Sequence, residues 1–246
     1  MNKPKVISIV GLTASGKSAV GIELAKRLGG EVVSCDSRQI YLGLDIGTGK
    51  VTEEEMDGVP HHLLDIIALG EKFSVYQFQQ RAFEIIDGIL SRGRVPILVG
   101  GTGLYSRAVV ENYCFDTKKK KERKYDVLQI ALMPPKDWIA GRIAKRLDER
   151  IQQGMIEETE DLINQGVSKS WLRGLGLEYL WNVDLIDGKV SRAEYREWLC
   201  TRIIQYAKRQ RTWFKKERAT VFLENPDEFL AECTRLAKEF ISNVRQ

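Results

Sequence analysis

The sequence is poor in cysteine, and its cysteines lie far apart. The four of them, Cys35, Cys114, Cys200 and Cys233, form no C-x-x-C pair, which argues against a zinc site and against a disulfide framework. No apolar run approaches the roughly 20 residues that a membrane-spanning helix needs. The N-terminus enters an apolar strand pattern almost at once, so a signal peptide does not fit. We therefore expect a cytoplasmic protein with no membrane partner.

The chain also has little excess charge, since 246 residues carry a formal net charge of only +4. This charge is unevenly distributed, because basic residues cluster at 118–124 and at 208–218, and the second cluster also holds Trp213 and Phe214. Such patches suit a polyanionic partner, although each one alone is also typical of a solvated loop or helix face.

Short apolar strands alternate with amphipathic helices through the first half of the chain. We predict strands at 5–10, 31–34, 94–99, 126–132 and 220–223, and helices at 18–28, 75–91, 135–153, 155–165, 171–183, 191–217 and 226–243. The alternation predicts an α/β fold, namely a doubly wound, mostly parallel sheet with a helical C-terminal half. We expect one domain spanning 1–246, with a basic linker at 114–125.

A glycine-rich motif lies between the first strand and the first helix. Residues 11–18 fit the pattern G-x-x-x-x-G-K-[ST] in full. In this position the backbone N–H groups and the helix N-terminus face a phosphate, Lys17 neutralises its charge, and the Ser18 hydroxyl is a ligand for Mg²⁺. The fold is therefore expected to contain a P-loop. The predicted phosphate-binding residues are Gly11, Leu12, Thr13, Ala14, Ser15, Gly16, Lys17 and Ser18.

Two other strands end in residues that can act on a bound phosphate. Asp36 follows the second strand, and Gly100-Gly101-Thr102 follows the third. Because ligands bind beyond the carboxyl ends of parallel strands, we expect these residues to share one crevice with the loop. Asp36 can hold Mg²⁺ through water or act as a general base, and a turn or N-cap role is the alternative. The glycines stand where ATP-hydrolysing machines carry a carboxylate, which favours a phosphate used as substrate or leaving group.

Three arginines recur at a spacing of four residues. Arg142, Arg146 and Arg150 share one face of a helix, where like charges are unfavourable unless anions lie among them. We expect one or two of them, Arg142 included, to bind the phosphate groups, whereas a solvated helix face is the alternative. His61 and His62 are adjacent and are not expected to share a metal; one of them is expected to hydrogen-bond within the crevice.

Together the motifs resemble those of the tRNA dimethylallyltransferase family, which prenylates an adenine next to the anticodon. The matching segments are 11–18, 36–41, 44–50, 58–65, 96–105, 142–146, 154–158 and 207–214. Their order and spacing agree over 5–113 and again over 125–217. The resemblance implies that dimethylallyl diphosphate is the donor and that its diphosphate, held by the P-loop and Mg²⁺, is the leaving group.

The resemblance also assigns roles to individual residues. It implies that Asp36 is the catalytic base at adenine N6, and that Thr102 and Arg146 contact the diphosphate and its bridging oxygen. Asp36, Ser37, Arg38 and Gln39, with Thr102, would contact the tRNA. The partner would be the anticodon stem-loop, from which the target base must be flipped. We expect the enzyme to be a monomer.

This sequence departs from the family pattern in the parts associated with gripping RNA. The family's helical insertion between about 113 and 126 is replaced by a short basic segment, 115–124. The family's Gly-Tyr-Lys-Glu appears as Gly176-Leu177-Glu178-Tyr179, and the Thr-Arg before Ala-Lys-Arg-Gln appears as Ile203-Ile204. We hypothesise that the basic linker takes over some of the phosphate contacts.

Three other functions remain open at this stage. The lost insertion would suit a prenyltransferase that acts on a free adenine nucleotide or another RNA, although the basic patches argue against it. The loop and the arginine helix would also serve a P-loop kinase of a small molecule. A non-catalytic RNA-binding remnant is disfavoured, because Lys17, Ser18, Asp36 and Thr102 are all present.

Overall fold

The structure is a computed structural model that describes residues 3–115, 122–217 and 219–243. Its strands are β1 (Lys5–Gly11), β2 (Gly30–Ser34), β3 (His61–His62), β4 (Val95–Val99), β5 (Asp126–Leu132) and β6 (Thr220–Leu223). Its α-helices are α1 (Lys17–Leu28), α2 (Glu53–Met56), α3 (Val75–Ser91), α4 (Gly103–Val110), α5 (Lys136–Gln152), α6 (Met155–Asn164), α7 (Lys169–Gly174), α8 (Leu177–Ile186), α9 (Arg192–Phe214) and α10 (Phe229–Ser242).

The strands form one sheet in the order β3-β2-β4-β1-β5-β6, and every pairing between the described strands is parallel. β1 lies in the interior, with Ile7 level with Ile97 of β4 and with Leu128 of β5. The predicted α/β fold with a parallel sheet is therefore confirmed. The carboxyl ends of β2, β4 and β1 are neighbours, so the residues that follow these strands meet at one edge of the sheet.

Both faces of the sheet are covered by helices, which explains why the central strands are apolar on both sides. Ile7 and Ile9 of β1 are fully buried in a cluster that includes residues of α1 and α10. Val6 points to the other face and packs with Phe78 of α3 and Tyr105 of α4. A third cluster joins Val10 and Leu12 to α5, α6 and α9. The loop after β1 is therefore fixed on a buried strand.

The observed elements follow the predicted ones closely, with two differences that affect the site. The helix predicted at 171–183 is two helices, because the chain turns at Gly176, whose φ is 72°. Directly after β4, the chain forms α4, which the sequence pattern did not predict. Both differences concern residues near the carboxyl edge of the sheet, because α4 begins directly after Thr102 and α8 carries the buried Glu178.

Among the described helices, none combines the length and the apolar character needed to cross a membrane. Of the basic linker predicted at 114–125, residues 116–121 lie outside the described part of the chain. The hypothesis that this linker contacts RNA therefore stays a prediction.

Candidate active site

The P-loop connects β1 to α1 through backbone that requires glycine. Gly11 has a φ of 135°, and a Cβ there would lie 2.3 Å from the carbonyl oxygen of Leu132 on β5. Gly16 has a φ of 86° and precedes α1 as its N-cap without a side chain to cover the helix end. The first N–H groups of α1 are therefore open toward the edge of the sheet, where a phosphate can accept from them.

Lys17 is held at the floor of this loop. Its Nζ donates to the carbonyl oxygen of Leu12 at 2.5 Å. Burial and the neighbouring Arg146 guanidinium lower the pKa of Lys17 from 10.5 to about 7, against the opposing effect of the Asp36 carboxylate. The ammonium group is therefore short of negative charge, which a bound phosphate would supply.

Asp36 and Thr102 lie on two neighbouring strand ends that are joined by hydrogen bonds. The backbone N–H of Thr102 donates to Cys35 at 3.2 Å, and the N–H of Ser37 donates to Oγ1 of Thr102 at 3.1 Å. The Asp36 carboxylate accepts from the N–H of Arg38 at 2.9 Å through Oδ1. This bond fixes the orientation of the carboxylate beside the loop.

The three arginines of α5 have different environments. Arg142 is exposed, with its guanidinium 5.7 Å from the centre of the Trp138 ring. Arg146 donates to the carbonyl oxygen of Gly49 at 3.2 Å, and burial, together with Arg150, lowers the pKa of Arg146 to about 10. Arg150 is buried and donates to the carbonyl oxygen of Ile46 at 2.7 Å.

Glu178 supplies a carboxylate that the sequence analysis did not identify as part of the site. It is 3% exposed and lies 2.5 Å from Nη1 of Arg38 and 3.0 Å from Nη1 of Arg150. Burial opposes its ionisation, but the two guanidinium groups outweigh burial and lower the pKa of Glu178 to about 2. Arg150 is therefore engaged within the protein, and the partly buried Arg146 is the arginine that lines both spaces beside the loop.

Gln210 of α9 ties the P-loop to the end of β4. Its Oε1 accepts from the N–H of Thr13 at 2.7 Å, and its Nε2 donates to the carbonyl oxygen of Gly101 at 3.0 Å. The residue belongs to the matching segment 207–214, but no local pattern marks this one side chain as a bridge. Sequence analysis therefore did not find its role.

These residues enclose two connected spaces at the carboxyl edge of the sheet. The inner crevice, with a volume of about 70 Å³, is lined by Thr13, Lys17, Ser18, Asp36, Arg38, Gln39 and Arg146, among others. An outer cavity of about 330 Å³ shares Lys17, Ser18 and Arg146 and adds Arg142. Ser37 and Thr102 follow the lining residues Asp36 and Gly101 in the chain, and they are hydrogen-bonded to each other. The structure thus brings together the residues predicted from the three strand ends.

A divalent cation in this site would share its coordination with a bound phosphate group. Within the described residues, no group of three His, Cys, Asp or Glu side chains forms a metal cage. The Ser18 hydroxyl at the start of α1 lines both spaces beside Lys17. An oxygen donor of this kind suits Mg²⁺, which keeps several waters and shares its coordination with substrate phosphates. Ser18 therefore fits a cation that arrives with a phosphate ligand.

The two histidines lie apart from this crevice. Val32 and Val33 of β2 are level with His61 and His62. The His62 ring makes a hydrogen bond of 2.7 Å to Glu31 on β2, and His61 contacts the carbonyl oxygen of Val59. The expectation that one of them bonds within the crevice was wrong, because their partners, Val59 and Glu31, are not among the residues that line it.

Comparison with known proteins gives the family. The model of the IPP transferase family matches residues 39–123 and 114–217. A tRNA dimethylallyltransferase 2 of Shewanella sediminis is 38% identical over 273 residues, covering 88% of this chain and 90% of the relative. The chain belongs to the IPP transferase family. A tRNA dimethylallyltransferase of Geobacillus thermodenitrificans is 33% identical over 309 residues, with 98% of each chain covered.

A solved structure supports the same assignment of the chain to the IPP transferases. The full-length tRNA isopentenylpyrophosphate transferase of Bacillus halodurans is 32% identical, with a TM-score of 0.89 and 96% of each chain covered. Resemblance to the tRNA dimethylallyltransferases, expected from the motifs, is thereby confirmed.

The alignments also show where IPP transferases differ in length from this chain. The two alignments extend over 273 and 309 residues, which exceeds the 246 residues present here. Each relative therefore carries residues without a counterpart in this chain. The two matched parts of the family model meet at 114–123, within the segment where the sequence carries its basic linker.

Proposed function

We propose that this IPP transferase transfers a dimethylallyl group from dimethylallyl diphosphate to N6 of an adenosine next to the anticodon in tRNA, and releases diphosphate. The observation that carries the proposal is the crevice in which the P-loop, the fixed carboxylate of Asp36 and the glycines that precede Thr102 meet. Membership in a family whose named relatives act as tRNA dimethylallyltransferases supports this choice of substrates.

The donor would bind with its diphosphate on the P-loop. The N–H groups at the start of α1 suit its oxygens, and Lys17, Arg142 and Arg146 supply positive charge from the two cavities. Mg²⁺ would be held by Ser18 together with the phosphate oxygens, where it would neutralise charge on the leaving group. This arrangement uses the phosphate as a leaving group and needs no carboxylate after β4.

The acceptor adenine would approach Asp36. In the transfer step the N6 lone pair forms a bond to C1 of the dimethylallyl group, the C1–O bond breaks, and its electron pair moves to the bridging oxygen. Asp36 takes the N6 proton, which requires the carboxylate to be oriented as the Arg38 N–H orients it. Lys17 and Arg146 stabilise the negative charge that develops on the diphosphate, and this charge is where fixed donors have most effect.

Thr102 would complete the donor set around the bridging oxygen. Its Oγ1 accepts the N–H of Ser37 at 3.1 Å and donates to Oγ of the same residue at 3.3 Å, so a phosphate oxygen at the bridging position would replace Ser37 as the acceptor of the hydroxyl proton. Ser37, Arg38 and Gln39, which follow Asp36 in the chain, would contact the acceptor nucleotide. All of these residues belong to a single chain, so we propose that a monomer is sufficient for activity.

The decisive experiment supplies labelled dimethylallyl diphosphate with unmodified tRNA, with AMP and with ATP in parallel. Label on tRNA alone supports the proposal, whereas label on AMP would overturn it in favour of a nucleotide prenyltransferase. Asp36→Asn is expected to abolish transfer while dimethylallyl diphosphate still binds. Asp161→Asn, an exposed residue on α6, is the matched control and should transfer at the rate of the unaltered enzyme.

A further inference from the structure

The segment 45–50, between β2 and α2, forms part of the wall of the active site. Thr48 and Gly49 line the inner crevice, and Gly49 also lines the outer cavity. The segment is a turn in which the N–H of Gly49 donates to the carbonyl oxygen of Ile46 at 3.0 Å. A group that fixes one end of this turn therefore also fixes the backbone that reaches the site.

Glu158 of α6 binds the first half of this turn with both of its carboxylate oxygens. Its Oε2 accepts from the backbone N–H groups of Asp45 at 3.0 Å and Ile46 at 2.7 Å. Its Oε1 accepts from the N–H of Gly47 at 2.9 Å. Three consecutive N–H groups thus converge on one carboxylate, which is the arrangement of an anion-binding nest of backbone donors.

Tyr179 of α8 completes the surroundings of this carboxylate. Its hydroxyl donates to Oε1 of Glu158 at 2.9 Å. Burial and the charge of Glu158 raise the pKa of Tyr179, so the hydroxyl keeps its proton. A Cβ on Gly47 would lie 2.5 Å from this hydroxyl oxygen, so the backbone of the turn lies directly against the tyrosine. The orientation of the Glu158 carboxylate is therefore fixed by two helices and the turn.

The second half of the turn holds an arginine of the site. The carbonyl oxygen of Gly49 accepts from Nη2 of Arg146 at 3.2 Å and from Nε2 of Gln39 at 3.1 Å. Among the described residues, this carbonyl oxygen is the hydrogen-bond acceptor of the Arg146 side chain. A Cβ on Gly49 would collide with the same guanidinium. The position of Arg146 beside the P-loop therefore depends on where the turn places residue 49.

We propose that Glu158 is a positioning residue for Arg146 in the transfer reaction. This role rests on the proposed function, in which Arg146 stabilises the leaving diphosphate. Glu158 lines neither space of the site, so it acts through the turn and the Gly49 carbonyl. Its effect should be larger on free diphosphate than on the donor, because the full charge of the leaving group develops only as the C1–O bond breaks.

The first test measures binding of inorganic diphosphate by titration calorimetry in the presence of Mg²⁺. In Glu158→Gln an amide NH₂ replaces one carboxylate oxygen and faces N–H donors, so hydrogen bonds to the turn are lost. Diphosphate should bind about tenfold more weakly and kcat should fall by a similar factor, less than for loss of a direct donor. The affinity for dimethylallyl diphosphate should fall only a few-fold.

Two control variants separate positioning from stability. Tyr179→Phe leaves the three bonds from the turn to Glu158 in place, so it should lower the thermal unfolding midpoint by a few degrees without weakening diphosphate binding. Glu160→Gln removes the same charge from an exposed position on α6 and should change neither quantity. If Tyr179→Phe weakens diphosphate binding as much as Glu158→Gln does, the packing of α6 on α8 explains the loss and the positioning role is refuted.

The second test combines Glu158→Gln with Arg146→Gln. The double variant should bind diphosphate within about twofold of Arg146→Gln alone, because the guanidinium that Glu158 positions is already absent. Losses that multiply would overturn the inference, since Glu158 would then act by another route. If Glu158→Gln does not fold, Glu158→Asp takes its place in both tests. Its carboxylate is one methylene short of the turn, so its loss should be about threefold and should again disappear beside Arg146→Gln.

The two proposals can fail separately. Diphosphate binding is measured without tRNA, so it tests Glu158 even where the unaltered enzyme does not prenylate tRNA, which is the result that overturns the proposed function. If the enzyme prenylates tRNA and Glu158→Gln retains the diphosphate affinity and kcat of the unaltered protein, the positioning role alone is overturned.

Discussion

The Glu178 carboxylate joins Arg38 of the loop after β2 to Arg150 of α5, with Oε2 lying 2.5 Å from Nη1 of Arg38. The same Arg38 donates its backbone N–H to Asp36. A buried carboxylate on α8 therefore supports the segment that orients the proposed catalytic base. Because both guanidinium groups are largely buried, their charges depend on nearby carboxylates for compensation, and Glu178 is the one that forms an ion pair with both of them.

Removing Glu178 should destabilise the protein. In Glu178→Ala two buried guanidinium groups lose their carboxylate partner, and such a loss costs about 3 to 5 kcal/mol of unfolding free energy. Glu178→Gln should cost less, since its amide oxygen can still accept one N–H. Urea denaturation measures the effect, and Glu160→Ala, an exposed change on α6, should stay within about 0.5 kcal/mol. A loss below about 1 kcal/mol in Glu178→Ala would contradict the role described.

The same carboxylate predicts how stability depends on pH. The pKa of Glu178 is lowered from 4.5 to about 2 in the folded protein, so its contribution is complete above pH 4.5. The contribution is lost as the pH falls from 4.5 to about 2, because in this range the unfolded chain binds a proton that the folded protein does not yet accept. Unfolding free energy measured from pH 6 downward should fall more steeply in the unaltered protein than in Glu178→Gln. Parallel curves of unfolding free energy against pH for the two proteins would contradict this role of Glu178.

The lowered pKa of Lys17 predicts that the binding of dimethylallyl diphosphate is accompanied by the uptake of a proton. Burial and Arg146 lower the pKa of Lys17 to about 7, so the free enzyme at pH 8 carries this group mostly neutral. The bound diphosphate favours the protonated form, and binding should therefore take up a proton and weaken by up to about tenfold per pH unit above 7. Titration calorimetry in two buffers of different ionisation enthalpy measures the number of protons taken up when dimethylallyl diphosphate binds. Lys17→Met should lack the uptake, and its absence in the unaltered enzyme would refute the assignment.

The sequence predicted those parts of the site that depend on local pattern. The P-loop follows from eight consecutive residues between a strand and a helix, and Asp36 and Thr102 follow from their positions at strand ends in a parallel sheet. The contacts of Glu178 and Gln210 could not be predicted in this way. They join residues 140 and 109 positions apart along the chain, so they depend on how α8 and α9 pack against the sheet.

The arginine helix illustrates the same limit. The spacing of four residues predicted that Arg142, Arg146 and Arg150 share one face of α5, and the structure confirms this. The spacing could not predict which groups each arginine side chain contacts. The carbonyl oxygens around Ile46 and the carboxylate of Glu178 engage Arg150, and this engagement is visible only once the segment between β2 and α2 is folded against α5. The three side chains therefore differ in role although the sequence treats them alike.

This difference predicts unequal effects of two matched substitutions. Arg146→Gln removes a partly buried charge beside Lys17 and should lower kcat about 10²- to 10³-fold, as for other fixed donors to a developing anion. Arg142→Gln removes an exposed charge that packs on Trp138, so it should raise the KM for dimethylallyl diphosphate a few-fold and leave kcat nearly unchanged. Steady-state kinetics with saturating tRNA separates the two parameters. Equal losses of kcat in both variants would contradict the distinction.

The two hydrogen bonds of Gln210 predict that the P-loop and the segment after β4 are held in a fixed relative position. Its side chain is 5% exposed and bridges Thr13 of the P-loop and Gly101 after β4. In Gln210→Glu the Oε atom still accepts from Thr13, but a carboxylate oxygen then faces the carbonyl oxygen of Gly101, where the amide had donated. The repulsion should separate the β4 end from the loop and cost about 1 to 3 kcal/mol of unfolding free energy.

The catalytic consequence of Gln210→Glu should appear mainly in kcat. The P-loop keeps its bond to residue 210 and should still bind dimethylallyl diphosphate, whereas Thr102, which follows the displaced Gly101, should lose its position at the bridging oxygen. Donor affinity by calorimetry and kcat with tRNA are the two measurements. Gln205→Glu, which introduces the same charge on α9 outside the crevice lining, is the control. If donor affinity falls in proportion to kcat, the residue supports the P-loop alone and the coupling is refuted.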